Sequence, residues 1–149
     1  MRERIKLTEE QALARMNAIC PGTLMEALGI RYTGVGENTI TCTMEVTPLH
    51  SRTEGLLHGG ATLALIETAG SSGSYLFMDP ETEIVMGIDV SVSHISPGKL
   101  GDTLTAIATA AHVGRTTQVW QVEVRAQDGR LVSVGKVTNV ILPKNREKR

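Results

Sequence analysis

His58-Gly59-Gly60, Glu67 and Ser71 are the residues whose types and spacing could do chemistry in this chain. All lie in LLHGGATLALIETAGSSGSYLF, Leu56 to Phe77, where Glu67 is the single carboxylate among small and apolar residues. An acid in a helix that is apolar on nearly every side is costly unless it is paired, hydrogen-bonded or used. Glu67 is therefore the first candidate for a working group, with Ser71 at i+4 on the same helix face. Nine helical residues separate His58 from Glu67, a rise of about 13.5 Å. One chain's His-Gly-Gly turn thus cannot converge with its own Glu67 on one reacting atom. Convergence requires a second copy, and a twofold dimer makes two such sites at once. The spacing offers no second paired metal ligand, such as a His at i+4, so no metal site is expected.

The elements that must position these residues follow from pattern. A membrane span should tolerate neither Glu67 nor so many Gly and Ser, so Leu56 to Phe77 is read as a long helix buried inside the fold. Before it, Leu7 to Ile19 reads as a helix with Thr8 as N-cap, and Leu24 to Leu28 as a short turn closed by Gly29. Ile30 to Thr33 and Thr39 to Val46 read as strands. After the long helix, Glu83 to His94 alternates Ile84, Met86, Ile88, Val90 and Val92 with polar or small residues. Thr103 to Val113 is assigned as strand despite an Ala-rich middle, because turns and strands frame it. Thr117 to Arg125 and Leu131 to Leu142 complete the set, with Asp128-Gly129 as a primed hairpin turn between them. Short connections imply an antiparallel sheet and an α+β fold in which that sheet curls around the helix.

Composition narrows the classes. The 149 residues suit one domain, 1–149, with residues 1–28 as an N-terminal helical cap and 143–149 as a basic tail. Hydrophobic residues make up 41% and aromatics 3%, so Val, Ile, Leu, Ala and Met must build the core. A net charge of -1 provides no field for nucleic acid or an acidic membrane face. Cys20 and Cys42 form no metal or redox motif and read as buried thiols. MRERIKLTEEQ has no apolar stretch of the secretory kind, and a cytoplasmic protein is expected.

Gly55-Leu-Leu-His-Gly-Gly60, followed by Glu67 nine residues after the His, resembles the hotdog-fold acyl-CoA thioesterases. The branch is that of the phenylacetate-pathway, 4-hydroxybenzoyl-CoA and 1,4-dihydroxy-2-naphthoyl-CoA thioesterases. The likeness runs from about Gly22 to Leu142, with Ser91-Val-Ser-His94, Gln118-Val-Trp-Gln-Val-Glu123 and Asp128-Gly-Arg-Leu131 as further anchors. It implies a hotdog fold, a long central helix wrapped by a curved antiparallel sheet of five to six strands. It also implies sites at a homodimer interface, within a dimer-of-dimers tetramer, and hydrolysis of an aryl or medium-chain acyl-CoA without a cofactor.

Thioester hydrolysis needs a base or nucleophile and a positive locus for the developing oxyanion. By resemblance Glu67 is the base or nucleophile, a choice the residues leave open, and the Gly60 N–H is the oxyanion donor. As an unpaired donor at a helix start, that N–H would carry the positive dipole end as well. Ser71 matches a hydroxyl that orients water or acyl group, and His58 shapes the Gly59-Gly60 turn. His94 matches a site histidine near the acyl end. Six residues before the His, relatives carry Gln or Asn; here that position holds Arg52, which could polarise the carbonyl or turn toward a CoA phosphate. Lys99 and Arg115 are further phosphate candidates. Two other readings are weighed. A non-catalytic acyl-CoA-binding protein would typically lose the carboxylate, and a hotdog hydratase or dehydratase would begin its helix with a Pro-Gly absent here.

Overall fold

The computed structural model describes residues 2–144; the basic tail expected over 143–149 lies, from 145 onward, outside the described residues. α1 (Glu9–Ala18) begins where expected, with Thr8 and Gln11 forming a reciprocal capping box that satisfies two backbone N–H groups. α2 (Leu24–Ala27) follows, and Gly29 leaves it at a φ of 63°. β1 (Arg31–Val35) and β2 (Thr39–Glu45) lead into α3 (Gly59–Gly73), which ends in a 3-10 turn over Ser74–Phe77. The last four strands are β3 (Glu83–His94), β4 (Thr103–Val113), β5 (Thr117–Ala126) and β6 (Leu131–Pro143).

The six strands form one antiparallel sheet in the order β1-β2-β4-β5-β6-β3, and α3 packs against β2 through β6. This is the hotdog arrangement, with β1 and β3 as the two edges. α3 lies close to the sheet because small residues face it. A Cβ on Gly73 would stand 2.6 Å from the Trp120 ring, and one on Gly70 would stand 2.5 Å from Val137. Leu65, Ile66 and Ala69 on that helix are fully buried against Trp120, Val122 and Val124 of β5 and Leu104, Ala106 and Ala108 of β4.

The structure breaks one sequence pattern and corrects one expectation. The apolar alternation of β3 does not line one buried face, because a β-bulge between Gly87 and Asp89 changes its phase. Val90 and Val92 pack on the core, while Ile84, Met86 and Ile88 are exposed by 44%, 51% and 61% on an edge strand. The extra residue of a bulge re-aims the side chains beyond it. The Asp128-Gly129 hairpin is also not a primed turn. A type I′ turn needs positive φ at both central residues, and only Gly129 has it, at 84°. Its N–H bonds back to the Ala126 carbonyl, so the loop is a wider turn with glycine in the left-handed position.

Candidate functional site

The chemistry-bearing residues form two separate groups along α3. The first surrounds its start. His58 is the N-cap, and its Nδ1 accepts a hydrogen bond from the Gly60 N–H at 2.8 Å. The Gly60 donor is therefore not unpaired, contrary to the sequence expectation: imidazole in an N-cap position can satisfy an orphan N–H as a carboxylate or hydroxyl does. The Gly59 N–H has no acceptor among the described residues.

His94, at the end of β3, reaches this same point. Its Nδ1 is 3.1 Å from the Ser133 hydroxyl, and its Nε2 lies 2.8 Å from where a Cβ on Gly59 would stand. Gly59 is thus glycine for space. The imidazole occupies the volume of its missing side chain. Gly59, Thr62, His94, Arg52 and the 95–98 turn line a cleft of about 320 Å³. Arg52 sits on its rim, exposed and paired to Glu54 at 2.9 Å.

A half-buried ion pair braces the wall of this cleft. Asp102 accepts from the Arg130 guanidinium and the Lys99 N–H, each at 2.9 Å, and Arg130 also donates to the Pro97 carbonyl. Burial alone would raise the Asp102 carboxyl, but the Arg130 and Lys99 hydrogen bonds outweigh it and hold it below the usual carboxylate range. Asp102 and Arg130 lie in a Gly-rich turn and a hairpin, positions where charges pass as solvated. Lys99 contributes its backbone to this brace, while its side chain is exposed.

The second group lies halfway along α3. The Ser71 hydroxyl is 2.9 Å from Glu67 Oε1, as their i+4 spacing allows, and 3.3 Å from Asn139 Oδ1 on β6. The fully buried Asn139 amide nitrogen donates to the Gly70 carbonyl at 3.1 Å and the Ser74 hydroxyl at 2.8 Å. Ser74 in turn accepts from the Trp120 indole at 3.2 Å. The Glu67 carboxylate lies against Gly87, where a Cβ would collide with Oε1. Gly87 pairs directly with Asn139 and opens the β3 bulge. Asn139 and Gly87 were not singled out in the sequence. Only their positions flanking a bulge and facing an acid mark them, and those become visible with the register.

The two groups do not meet within the chain, as the helix rise requires. Arg115 lies far from the first group. Its carbonyl accepts from Arg2, which also holds Glu83 at the start of β3, whereas His94 ends that strand about 36 Å away at the usual rise per residue. No cluster of three or more His, Cys, Asp or Glu among the described residues is placed to hold a metal ion. No helix among them is long and apolar enough to cross a membrane.

The family model described as the Thioesterase superfamily matches residues 54–133 of the chain. That span contains the His58 turn, Glu67, Ser71, β3 and the Asp102–Arg130 brace. The 1,4-dihydroxy-2-naphthoyl-CoA hydrolase of Escherichia coli is 35% identical over 133 residues, covering 87% of this chain and 94% of that protein. The proofreading thioesterase EntH of Cronobacter turicensis is 34% identical over 133 residues, covering 87% and 93%. A crystal structure of a mutant thioesterase PA1618 from Pseudomonas aeruginosa superimposes with a TM-score of 0.87 at 31% identity, covering 96% of this chain and 99% of that one.

Proposed function

The chain belongs to the Thioesterase superfamily and is a thioesterase, and on that premise we propose that it hydrolyses an acyl-CoA, with an aryl or medium-chain acyl group, at sites shared by two copies. The observation that carries this reading is the separation of the two groups on α3, combined with the open edge of β3 beside one of them. β3 presents unpaired backbone and exposed Ile84, Met86 and Ile88, which antiparallel pairing with a second β3 would cover. Gly87 lies near the start of the strand and His94 at its end. Self-pairing about a twofold brings the partner's His94 and the partner's Gly59 toward Glu67. Assembly of two such dimers into a tetramer belongs to the same proposal.

In the general-base route Glu67 takes a proton from water while the water oxygen bonds to the thioester carbon. The carbonyl π pair moves to oxygen, and that oxyanion sits at the partner's helix start. The Gly59 N–H is free there, and the Gly60 N–H joins it by exchanging its His58 acceptor for the substrate oxygen. The oxyanion pair then returns, the C–S bond breaks, and the CoA thiolate takes the proton that Glu67 had accepted, which restores the carboxylate. In the nucleophilic route the Glu67 oxygen itself bonds to the carbonyl carbon, expelling the thiolate, and water then hydrolyses the resulting anhydride. Ser71 holds the carboxylate in either route. Arg52 on the cleft rim, and Lys99 beside it, are assigned to the CoA phosphates; Arg115 could serve only from a partner chain. A cytoplasmic location, where CoA esters are made, fits this chemistry.

The test is a panel of benzoyl, phenylacetyl, hydroxynaphthoyl and straight-chain CoA esters, read by thiol release, with Glu67→Ala as control. The reading expects turnover of at least one ester class and its loss in the variant. A variant that binds CoA esters and still turns them over normally overturns the assignment of Glu67.

A further inference from the structure

Asn139 holds its amide in one orientation, and this leaves the Ser71 hydroxyl with two acceptors for one hydrogen. The Gly70 carbonyl only accepts, so the Asn139 atom 3.1 Å from it must be the donating nitrogen. That nitrogen's second hydrogen goes to Ser74, whose hydroxyl also receives the donor-only Trp120 indole. Asn139 Oδ1 is therefore fixed as an acceptor facing Ser71 at 3.3 Å, opposite Glu67 Oε1 at 2.9 Å. A hydroxyl has one hydrogen and can donate to only one of them at a time.

We propose that Asn139 is a positioning residue for hydrolysis: it receives the Ser71 hydrogen whenever Glu67 loses its negative charge, so that Ser71 switches from donor to acceptor beside the carboxyl group. With Glu67 ionised, Ser71 donates to it and steers its oxygen. Once Glu67 has taken a proton, or has become part of an acyl anhydride, that donation is worth less. The hydroxyl then turns to Asn139 Oδ1, and its lone pairs face the Glu67 proton or the incoming water. In each Glu67 state the Ser71 hydroxyl keeps an acceptor for its hydrogen without motion of the backbone. Burial makes the arrangement consequential, because Asn139 and Ser74 are both 0% exposed and water does not replace a lost partner there. Gly87, directly across from Asn139, leaves the room in which the carboxylate sits.

This inference rests on the proposed role of Glu67, and the experiment separates the two. Glu67→Ala, Ser71→Ala, Asn139→Ala and Ser71→Ala/Asn139→Ala are compared by kcat and KM on one CoA ester, with folding checked by thermal melts. Asn139→Ser replaces Asn139→Ala throughout if the alanine variant does not fold. Loss of Asn139 is expected to lower kcat about 10-fold with KM within about twofold, and to add no further loss in the Ser71→Ala background. Losses that multiply, to about 100-fold in the double variant, or a loss confined to KM, overturn the inference while Glu67→Ala remains inactive. Normal turnover by Glu67→Ala overturns the proposed function and this inference with it.

Discussion

The start and the middle of α3 hold their chemistry in different ways. At the start, a cap, two glycines and a histidine from β3 meet beside a cleft open to solvent. In the middle, one carboxylate is tied through Ser71, Asn139 and Ser74 to the fully buried Trp120. In the proposed function the first region offers backbone donors to the substrate, while the second holds the Glu67 carboxylate against the core. Geometry within one chain keeps them apart, and in the proposed function a second copy brings them together.

Perturbing the middle should cost most. Glu67→Ala is expected to lower kcat by at least about 10²-fold, as loss of a principal acid–base group does; steady-state kinetics on any turned-over CoA ester measures it. Gly87→Val should come next, because its Cβ would occupy the space of Glu67 Oε1. A kcat loss on the order of 10-fold, with little change in melting temperature, is expected for a displaced catalytic geometry. Wild-type kcat in that variant would show that the carboxylate works from elsewhere.

Perturbing the start should show in stability before activity. His58→Ala removes the N-cap of α3 and should cost about 1 kcal/mol in a denaturant melt. Activity should stay within about tenfold, because the Gly60 N–H is released for the substrate by the same change. The smallest effect belongs to the brace of the cleft wall. The folded Asp102 carboxyl lies below its unfolded value, so its contribution is complete above the usual carboxylate range and is lost as pH falls through the folded value. Arg130→Ala removes the chief group that outweighs burial, so the acid-side fall in melting temperature below about pH 4 should flatten. An unchanged pH dependence would remove Arg130 from that account.

Much of this molecule could be read along the chain. The Thr8 cap and the Gly29 helix end follow from local rules, the strand character of Thr103–Val113 follows from the turns and strands that frame it, and the structure has all three. Glu67 was legible because an acid in an apolar helix is anomalous at the level of composition. The state of the Gly60 N–H was not legible, since imidazole serves as a cap too seldom for local rules to anticipate it. The split of β3 was hidden for a different reason: one extra residue at a bulge inverts every later position, and nothing in EIVMGIDVSVSH marks it except Gly87. Asn139 and Asp102 depend on partners 68 and 28 residues away, Ser71 and Arg130, that only the sheet register brings together.

The claim that two chains build each site can be tested by mixing two inactive proteins. Glu67→Ala and Gly59→Val chains, co-refolded in equal amounts, give mixed dimers with one fully intact site and one doubly damaged site. The Gly59→Val side chain is aimed at the volume of His94, so it disables the helix start while leaving Glu67 untouched. Random pairing makes half of the dimers mixed, so about one quarter of wild-type activity should return. Activity no higher than that of either parent, in a mixture shown by mass to contain mixed dimers, would contradict the shared site.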